Sequence, residues 1–260
     1  MGSFITNLHV RDAAPRAVIE ALKSLGVVPA YVRGSPADAW TSIFPQAAFQ
    51  DEAGLSALAL ALSSALQRPV IAFIVHDSDI LLYLLVDDGK QRDSYNSAPG
   101  YFTGENLPPE GGEPEALATY CRADNATDQL SRLLHPERHS ADQAQSSGQT
   151  EHEMILDAVR KKAIQAYPII AAKMPNPPSL EQYLADIERR MATRPAATVP
   201  TPSPAKPFMF AEDRLTGLAE LLGIPSGRAL DSYHDLSGGE GTPGMLTLIG
   251  PDGETEISLS

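Results

Sequence analysis

Two hydrophobic periods alternate along the first hundred residues, one typical of helices and the other of strands. Apolar residues recur at every third or fourth position in 18–25 and again in 55–66, so both segments are predicted helices. The second is so rich in alanine and leucine that most of its circumference is apolar, which indicates burial. Partial alternation or short apolar runs predict strands at 4–10, expected at a sheet edge, and at 27–32, 40–44, 70–75, 80–86 and 91–95.

The order of these elements over residues 3–103 determines the expected fold class. The order is strand–helix–strand–strand–helix–strand–strand–strand. It is most simply accommodated by two helices that pack on one face of a mostly antiparallel sheet. We therefore predict an α+β protein, with a ferredoxin-like arrangement as its expected form. Asp12 is the expected N-cap of the first helix and Gly26 its C-terminal stop, while Asp88-Gly89 is a hairpin signal.

Composition changes after residue 105, which divides the chain into an α+β domain (1–105) and a longer, less regular remainder. Residues 106–194 predict a helical segment with mobile loops, and Ser179 begins one of its two capping-box motifs. Five prolines between 195 and 207 indicate a semi-extended linker, the best domain boundary in the chain.

The last part, 208–260, predicts a small α/β unit built from a helix and a hairpin. Its leucine-rich helix ends at Gly223, a strand is expected at 228–233, and Asp252-Gly253 marks the turn of the hairpin. This order of elements matches 55–97, so we interpret the unit as a degenerate repeat of that segment, with coincidence as the alternative.

Charge and cysteine content narrow the class of partner. The net charge is −13 with a sequence pI of about 4.8, which disfavours nucleic acid and anionic membranes and suits a basic protein. The single cysteine, Cys121, allows no intrachain disulfide and no cysteine-based zinc site. With no secretory signal and no apolar run of membrane-spanning length, we expect a cytoplasmic protein that needs no cofactor.

The densest group of side chains able to do chemistry follows the strand at 70–75. Asp77 and Asp79 would share a strand face beside His76, and such a group could bind a divalent cation or exchange protons. The alternative is structural, because Asp77-Ser78 interrupts two apolar runs and is typical of a turn.

A second candidate surface follows the strand at 91–95. Asp93, Tyr95, Asn96 and Tyr101 carry the aromatic and amide groups typical of binding surfaces. They also suit the end of a strand that packs on the sheet. The lone tryptophan, Trp40, is likewise interpreted as a core anchor, with an interface role as the alternative.

One set of residues within 3–103 carries a resemblance to other proteins: Trp40, Gln50-Asp51, Leu55, Leu62-Ser63, Val75-His76-Asp77-Ser78-Asp79 and Asp93-Ser94-Tyr95-Asn96-Ser97-Ala98-Pro99. Through them the region resembles an uncharacterised family of bacterial proteins. The resemblance implies a bacterial cytoplasmic origin and no particular activity, cofactor or catalytic residue.

The sequence therefore favours a non-catalytic cytoplasmic binding or interaction protein, such as an adaptor or an immunity-type inhibitor of a basic partner. The alternative is a metal-dependent hydrolase that uses His76, Asp77 and Asp79. A small-molecule sensor with a pocket between the helical middle and the sheet is the third hypothesis. As binding residues we predict His76, Asp77, Asp79, Asp93, Tyr95, Asn96 and Tyr101, with no metal site.

Overall fold

A computed structural model of the protein describes residues 2–35, 37–123, 125–136, 179–184 and 210–259. The strands are β1 (Ile5–Arg11), β2 (Ala30–Arg33), β3 (Trp40–Pro45), β4 (Val70–His76), β5 (Ile80–Asp87), β6 (Lys90–Asn96), β7 (Glu110–Gly111), β8 (Gly244–Gly250) and β9 (Gly253–Leu259). The helices over the described ranges include α1 (Pro15–Ser24), α2 (Glu52–Leu66), α3 (Pro114–Ala118), α4 (Ala126–Leu134), α5 (Ala211–Leu222), α6 (Ser226–Leu230) and α7 (Tyr233–Gly238). The strands form one antiparallel sheet in the order β7-β6-β5-β4-β1-β3-β2-β8-β9, so the predicted α+β class is confirmed.

The centre of the sheet is the unit β1-α1-β2-β3-α2-β4, whose strands lie in the order β4-β1-β3-β2. Both helices pack on the same face, where Leu22 and Leu62 are buried against Leu8 and other strand residues. The α2 helix begins where the Asp51 side chain accepts a hydrogen bond from the amide of Gly54. The α1 helix begins after Ala14 without a side-chain cap, so the prediction that Asp12 is its N-cap is wrong.

Strand β1 lies between β3 and β4 and is not an edge strand, contrary to the sequence prediction. The alternation that suggested an edge comes from Asn7 and His9, which are fully buried. Their polarity is tolerated because His9 bonds to Asn7 and Ser42, and Asn7 bonds to backbone carbonyls of the C-terminal segment. Buried polar residues with distant partners therefore imitate a solvent-facing pattern.

Two tight hairpins lie where the sequence places them. Asp88 and Gly89 connect β5 and β6 with φ angles of 54° and 66°, the left-handed geometry that a type I′ turn requires. The turn 251–252 connects β8 and β9, and β8 pairs with β2. Between its helix and its hairpin, the segment 55–97 contains strand β4, whereas the C-terminal segment contains α6 and α7. The duplication stays a hypothesis.

Helices from the middle and the C-terminal segment cover the opposite face of the sheet. Leu117 of α3, Leu130 of α4 and Leu218 of α5 are buried against Phe73 and Tyr83. The prediction of helices on one face therefore holds for α1 and α2 alone. The strand predicted at 228–233 is also wrong, because these residues end α6 and begin α7, and the Ser232 side chain caps α7.

The described residues divide into two compact units, the first consisting of Met1–Pro136 with Met209–Ser260 and the second of Glu137–Phe208. In the second, residues 179–184 are described, and Ser179 and Gln182 exchange the reciprocal hydrogen bonds of the predicted capping box. The other predicted capping box, at 150–153, and the linker at 195–207 lie outside the described residues. No described helix is long and apolar enough to cross a membrane.

Candidate functional site

The turn between β4 and β5 is held by its own backbone and by neighbouring segments. Asp77 and Ser78 have φ angles of 51° and 61°, and the amide of Asp79 donates to the carbonyl of His76 at 3.1 Å. The Ser78 hydroxyl accepts from the amide of Ser3 at 2.8 Å and donates to Glu212 Oε1 at 2.6 Å. This turn therefore fastens the N-terminus and the start of α5 to the sheet.

The imidazole of His76 is fixed in position by Gln50. Gln50 Nε2 donates to the carbonyls of Ile5 and Val75, so its Oε1 accepts from His76 Nδ1 at 3.0 Å. Among the described residues, His76 Nε2 has no hydrogen-bond partner. The ring is held by one nitrogen and turned towards the aromatic side chains beside the turn.

These side chains form an exposed surface that we call the aromatic–acidic patch: Phe4, His76, Asp77, Asp79, Tyr101 and Phe102. The His76 ring centroid lies 5.0 Å from that of Phe4 and 5.4 Å from that of Phe102. Phe102 is 78% exposed, the most of any large apolar side chain described. A patch of aromatic rings open to solvent in this way is typical of a contact surface.

Asp79 and Tyr101 join the acidic and aromatic parts of the patch. The Tyr101 hydroxyl donates to Asp79 Oδ2 at 3.2 Å. This hydrogen bond to a carboxylate raises the pKa of Tyr101, with smaller contributions from desolvation and from Asp77. Both carboxylates are exposed at the rim, so the patch carries negative charge beside its rings.

A groove of about 430 Å³, which we call the sheet groove, lies between α2 and the β5–β7 part of the sheet. Its floor includes the cross-strand row Ile74, Leu82, Asn96 and Glu110. Ile74 and His76 lie two residues apart on the same face of β4, so the sheet groove adjoins the aromatic–acidic patch. The groove has the volume of a site for a small ligand or for one or two side chains.

The lining of the sheet groove combines apolar side chains with polar groups. Leu82 is partly exposed there, and Ser94 accepts a hydrogen bond from Gln91 at 3.1 Å. Asn96 Oδ1 accepts from the amide of Ala98 at 2.9 Å, which leaves its two N–H groups available. Two carboxylates, on Glu52 and Glu110, line the groove and form no ion pair with a described residue.

The side chains of Asp93 and Tyr95 lie on the opposite face of the sheet, although Tyr95 also contributes to the lining of the sheet groove. Asp93 accepts hydrogen bonds from the Tyr83 hydroxyl at 2.6 Å and the Glu113 amide at 3.0 Å, and its burial raises its pKa. Tyr95 donates to the carbonyl of Leu134 and accepts from Arg214 at 2.6 Å. These contacts attach α3, α4 and α5 to the sheet, and neither side chain reaches a partner in solvent.

Of the seven predicted binding residues, the structure brings His76, Asp77, Asp79 and Tyr101 together and places Asn96 nearby. Within the described ranges, no three His, Cys, Asp or Glu side chains are arranged to hold a metal ion. Gln50 and Phe4 were not predicted as site residues, because they lie in other segments of the chain. The groove was not predicted either, because only strand register brings Leu82 and Glu110 beside Asn96.

Comparisons with models of protein families, with curated proteins and with solved structures find no match to this chain.

Proposed function

We propose that this chain is a non-catalytic binding protein that recognises a basic protein through the aromatic–acidic patch and the adjoining sheet groove. The observation that supports this proposal is the exposure of Phe102, which is 78% open to solvent beside the carboxylates of Asp77 and Asp79. A large aromatic side chain that stays in water gains no hydrophobic stabilisation. A partner that covers the ring supplies this stabilisation on binding.

The chemistry of the patch fits a lysine or arginine side chain. The face of an aromatic ring attracts a cation, and the rim carboxylates add Coulombic attraction and hydrogen-bond acceptors. The sheet groove holds the carboxylates of Glu52 and Glu110 together with the apolar side chains of Ile74 and Leu82, on which an aliphatic stem can lie. The chain's net charge of −13 raises the encounter rate with a basic partner.

A metal-dependent hydrolase has no comparable support. Asp77 and Ser78 adopt turn geometry, Asp79 bonds to Tyr101, and His76 is held by Gln50. His76 and Asp79 are therefore held by neighbouring side chains, and Asp77 serves the turn through its backbone.

The proposal also covers the class of partner, the location in the cell and the fold of the central unit. An adaptor and an immunity-type inhibitor are both binding proteins of this kind, and the second predicts a basic toxin-like enzyme as the partner. A cytoplasmic location in a bacterium suits the single cysteine. The order β4-β1-β3-β2 with α1 and α2 on one face supports a ferredoxin-like central unit, extended by strands on both sides.

The test uses fluorescently labelled peptides of one sequence containing either arginine or its neutral analogue citrulline. At physiological salt, we expect the full chain to bind the arginine peptide more tightly, because non-specific attraction to a −13 protein is then screened. Phe102→Ala should weaken binding about three- to tenfold, the range for loss of a partly desolvated cation–π contact. Asp77→Asn combined with Asp79→Asn should weaken it as well.

Met245→Ala is the matched control, because Met245 is 57% exposed on β8, far along the sheet from the patch. It should leave the dissociation constant unchanged. Equal affinity for the arginine and citrulline peptides, or equal losses in Phe102→Ala and Met245→Ala, would refute the proposal.

A further inference from the structure

Strand β9 forms one end of the sheet, and no described residue pairs with its outer edge. Gly250 and Gly253 flank the two-residue turn and form the first hydrogen-bonded pair of the hairpin. Hydrogen bonds to β8 then come from every second residue. The backbone N–H and C=O groups of Glu254, Glu256 and Ser258 therefore point away from the sheet, ready to pair with another strand.

This edge lacks most of the features that prevent strands from adding to a sheet. Strand β9 is seven residues long and contains no proline, no lysine and no bulge. Its two glutamates are the remaining protection, but Glu254 forms ion pairs with Arg16 at 2.8 Å and with Lys23. Only Glu256 presents a carboxylate that no described residue neutralises.

We propose that β9 is a docking edge for an extended segment of a partner protein, which adds as a tenth strand and places a lysine or arginine opposite Glu256. Main-chain hydrogen bonds to Glu254, Glu256 and Ser258 supply affinity, and the cation opposite Glu256 supplies selectivity. This is a second surface, at the other end of the sheet from β7 and the sheet groove.

The charge of the edge disfavours a second copy of the chain as the occupant. If two β9 strands pair antiparallel about their centre, Glu256 lies opposite Glu256. Like charges directly opposite each other destabilise a strand pair. An extended segment with basic residues at alternate positions avoids this repulsion and gains an ion pair.

The first measurement is hydrogen exchange of the full chain alone, read at single amides. The amides of Thr255, Ile257 and Leu259, bonded to β8, should exchange slowly, and those of Glu254, Glu256 and Ser258 rapidly. A heptapeptide of alternating lysine and valine should slow exchange at the three outward amides. The same peptide with glutamate in place of lysine should not.

Two variants separate the backbone contribution from the charge. Glu256→Pro removes an outward N–H together with the carboxylate and should weaken peptide binding about tenfold or more, whereas Glu256→Gln keeps the N–H and should weaken it about threefold. Asp252→Asn removes an exposed charge from the turn of the same hairpin and should have no effect.

The proposal is overturned if the outward amides are already protected in the chain alone, because the edge is then covered by a second copy or by the chain itself. Light scattering, which gives the molar mass in solution, distinguishes a second copy from a segment of the same chain. It is also overturned if neither peptide protects the outward amides. The proposed function at the aromatic–acidic patch is tested by different variants, so either result leaves the other proposal standing.

Discussion

The buried His9 makes the stability of the protein depend on pH in a calculable way. Asn7 Nδ2 donates to the carbonyls of Ala229 and Asp231, so Asn7 Oδ1 accepts from His9 Nε2, and His9 Nδ1 accepts from the Ser42 hydroxyl. The ring is therefore neutral with its proton on Nε2. Burial, with a smaller contribution from Arg228, lowers the pKa of His9 from 6.5 to about 3.

Because the pKa of His9 is lowered by folding, the unfolded chain binds a proton at pH values where His9 of the folded chain stays neutral. The stabilisation is fully present above pH 6.5 and is lost as the pH falls from 6.5 towards 3. In that window the free energy of unfolding falls by about 1.4 kcal/mol for each pH unit. Between pH 7 and pH 5, His9 alone should therefore cost about 2 kcal/mol.

Urea unfolding of the wild type and of His9→Gln at pH 7, 6 and 5 tests this value. Glutamine can donate to Asn7 and accept from Ser42 but does not titrate, so all other pH-dependent groups are shared by the two proteins. The wild type should lose about 2 kcal/mol more than the variant between pH 7 and pH 5. Parallel pH dependences would show that His9 is not held neutral in the folded state.

Two other side chains, the buried Asp231 and the half-buried Cys121, give further predictions. Asp231→Asn should lower the free energy of unfolding by about 3–5 kcal/mol, because it leaves the Arg33 guanidinium buried without its carboxylate partner; Arg228→Gln, which breaks the more exposed pair with Asp38, should cost less than about 1 kcal/mol in the same urea assay. Burial raises the pKa of Cys121 to about 11, so at pH 8 its alkylation by iodoacetamide should be roughly a hundredfold slower in the folded chain than in urea. Equal rates in both states would show that the thiol is exposed.

Local sequence patterns correctly predicted the elements that form through the spacing and backbone preferences of their own residues. The helices α1 and α2, the turns at Asp88-Gly89 and 251–252, and the stop at Gly26 follow from spacing and backbone preference. Trp40 lies in the core as predicted, 1% exposed, with its indole N–H donating to the carbonyl of Leu222.

The error at β1 arose where distant partners decide the outcome. The strand resembles an edge because Asn7 is polar, yet its amide N–H groups donate to carbonyls more than two hundred residues away in the chain. No local period distinguishes such contacts from exposure to solvent. The error at 228–233 has a local cause, because Ser232 and Asp235 form the capping box that begins α7, while residues 228–230 end α6.

The candidate site was predictable only in part, for the same reason. His76, Asp77 and Asp79 are close in sequence, and their proximity in space needs no tertiary information. Tyr101 joins them because the segment after β6 returns to the β4–β5 turn. The sheet groove depends on the register of β5, β6 and β7, which the sequence alone does not specify.

The pairing of β2 with β8 has a consequence for the nascent chain. Ala30 and Ile249 are register partners, so one side of β2 stays bare while more than two hundred further residues are synthesised. The side chains of Tyr31 and Phe44 also stay uncovered until Tyr233 and Leu236 have been synthesised and can pack against them. The protein thus passes through a prolonged stage with an unpaired strand and uncovered aromatic side chains, when a chaperone is most useful to it.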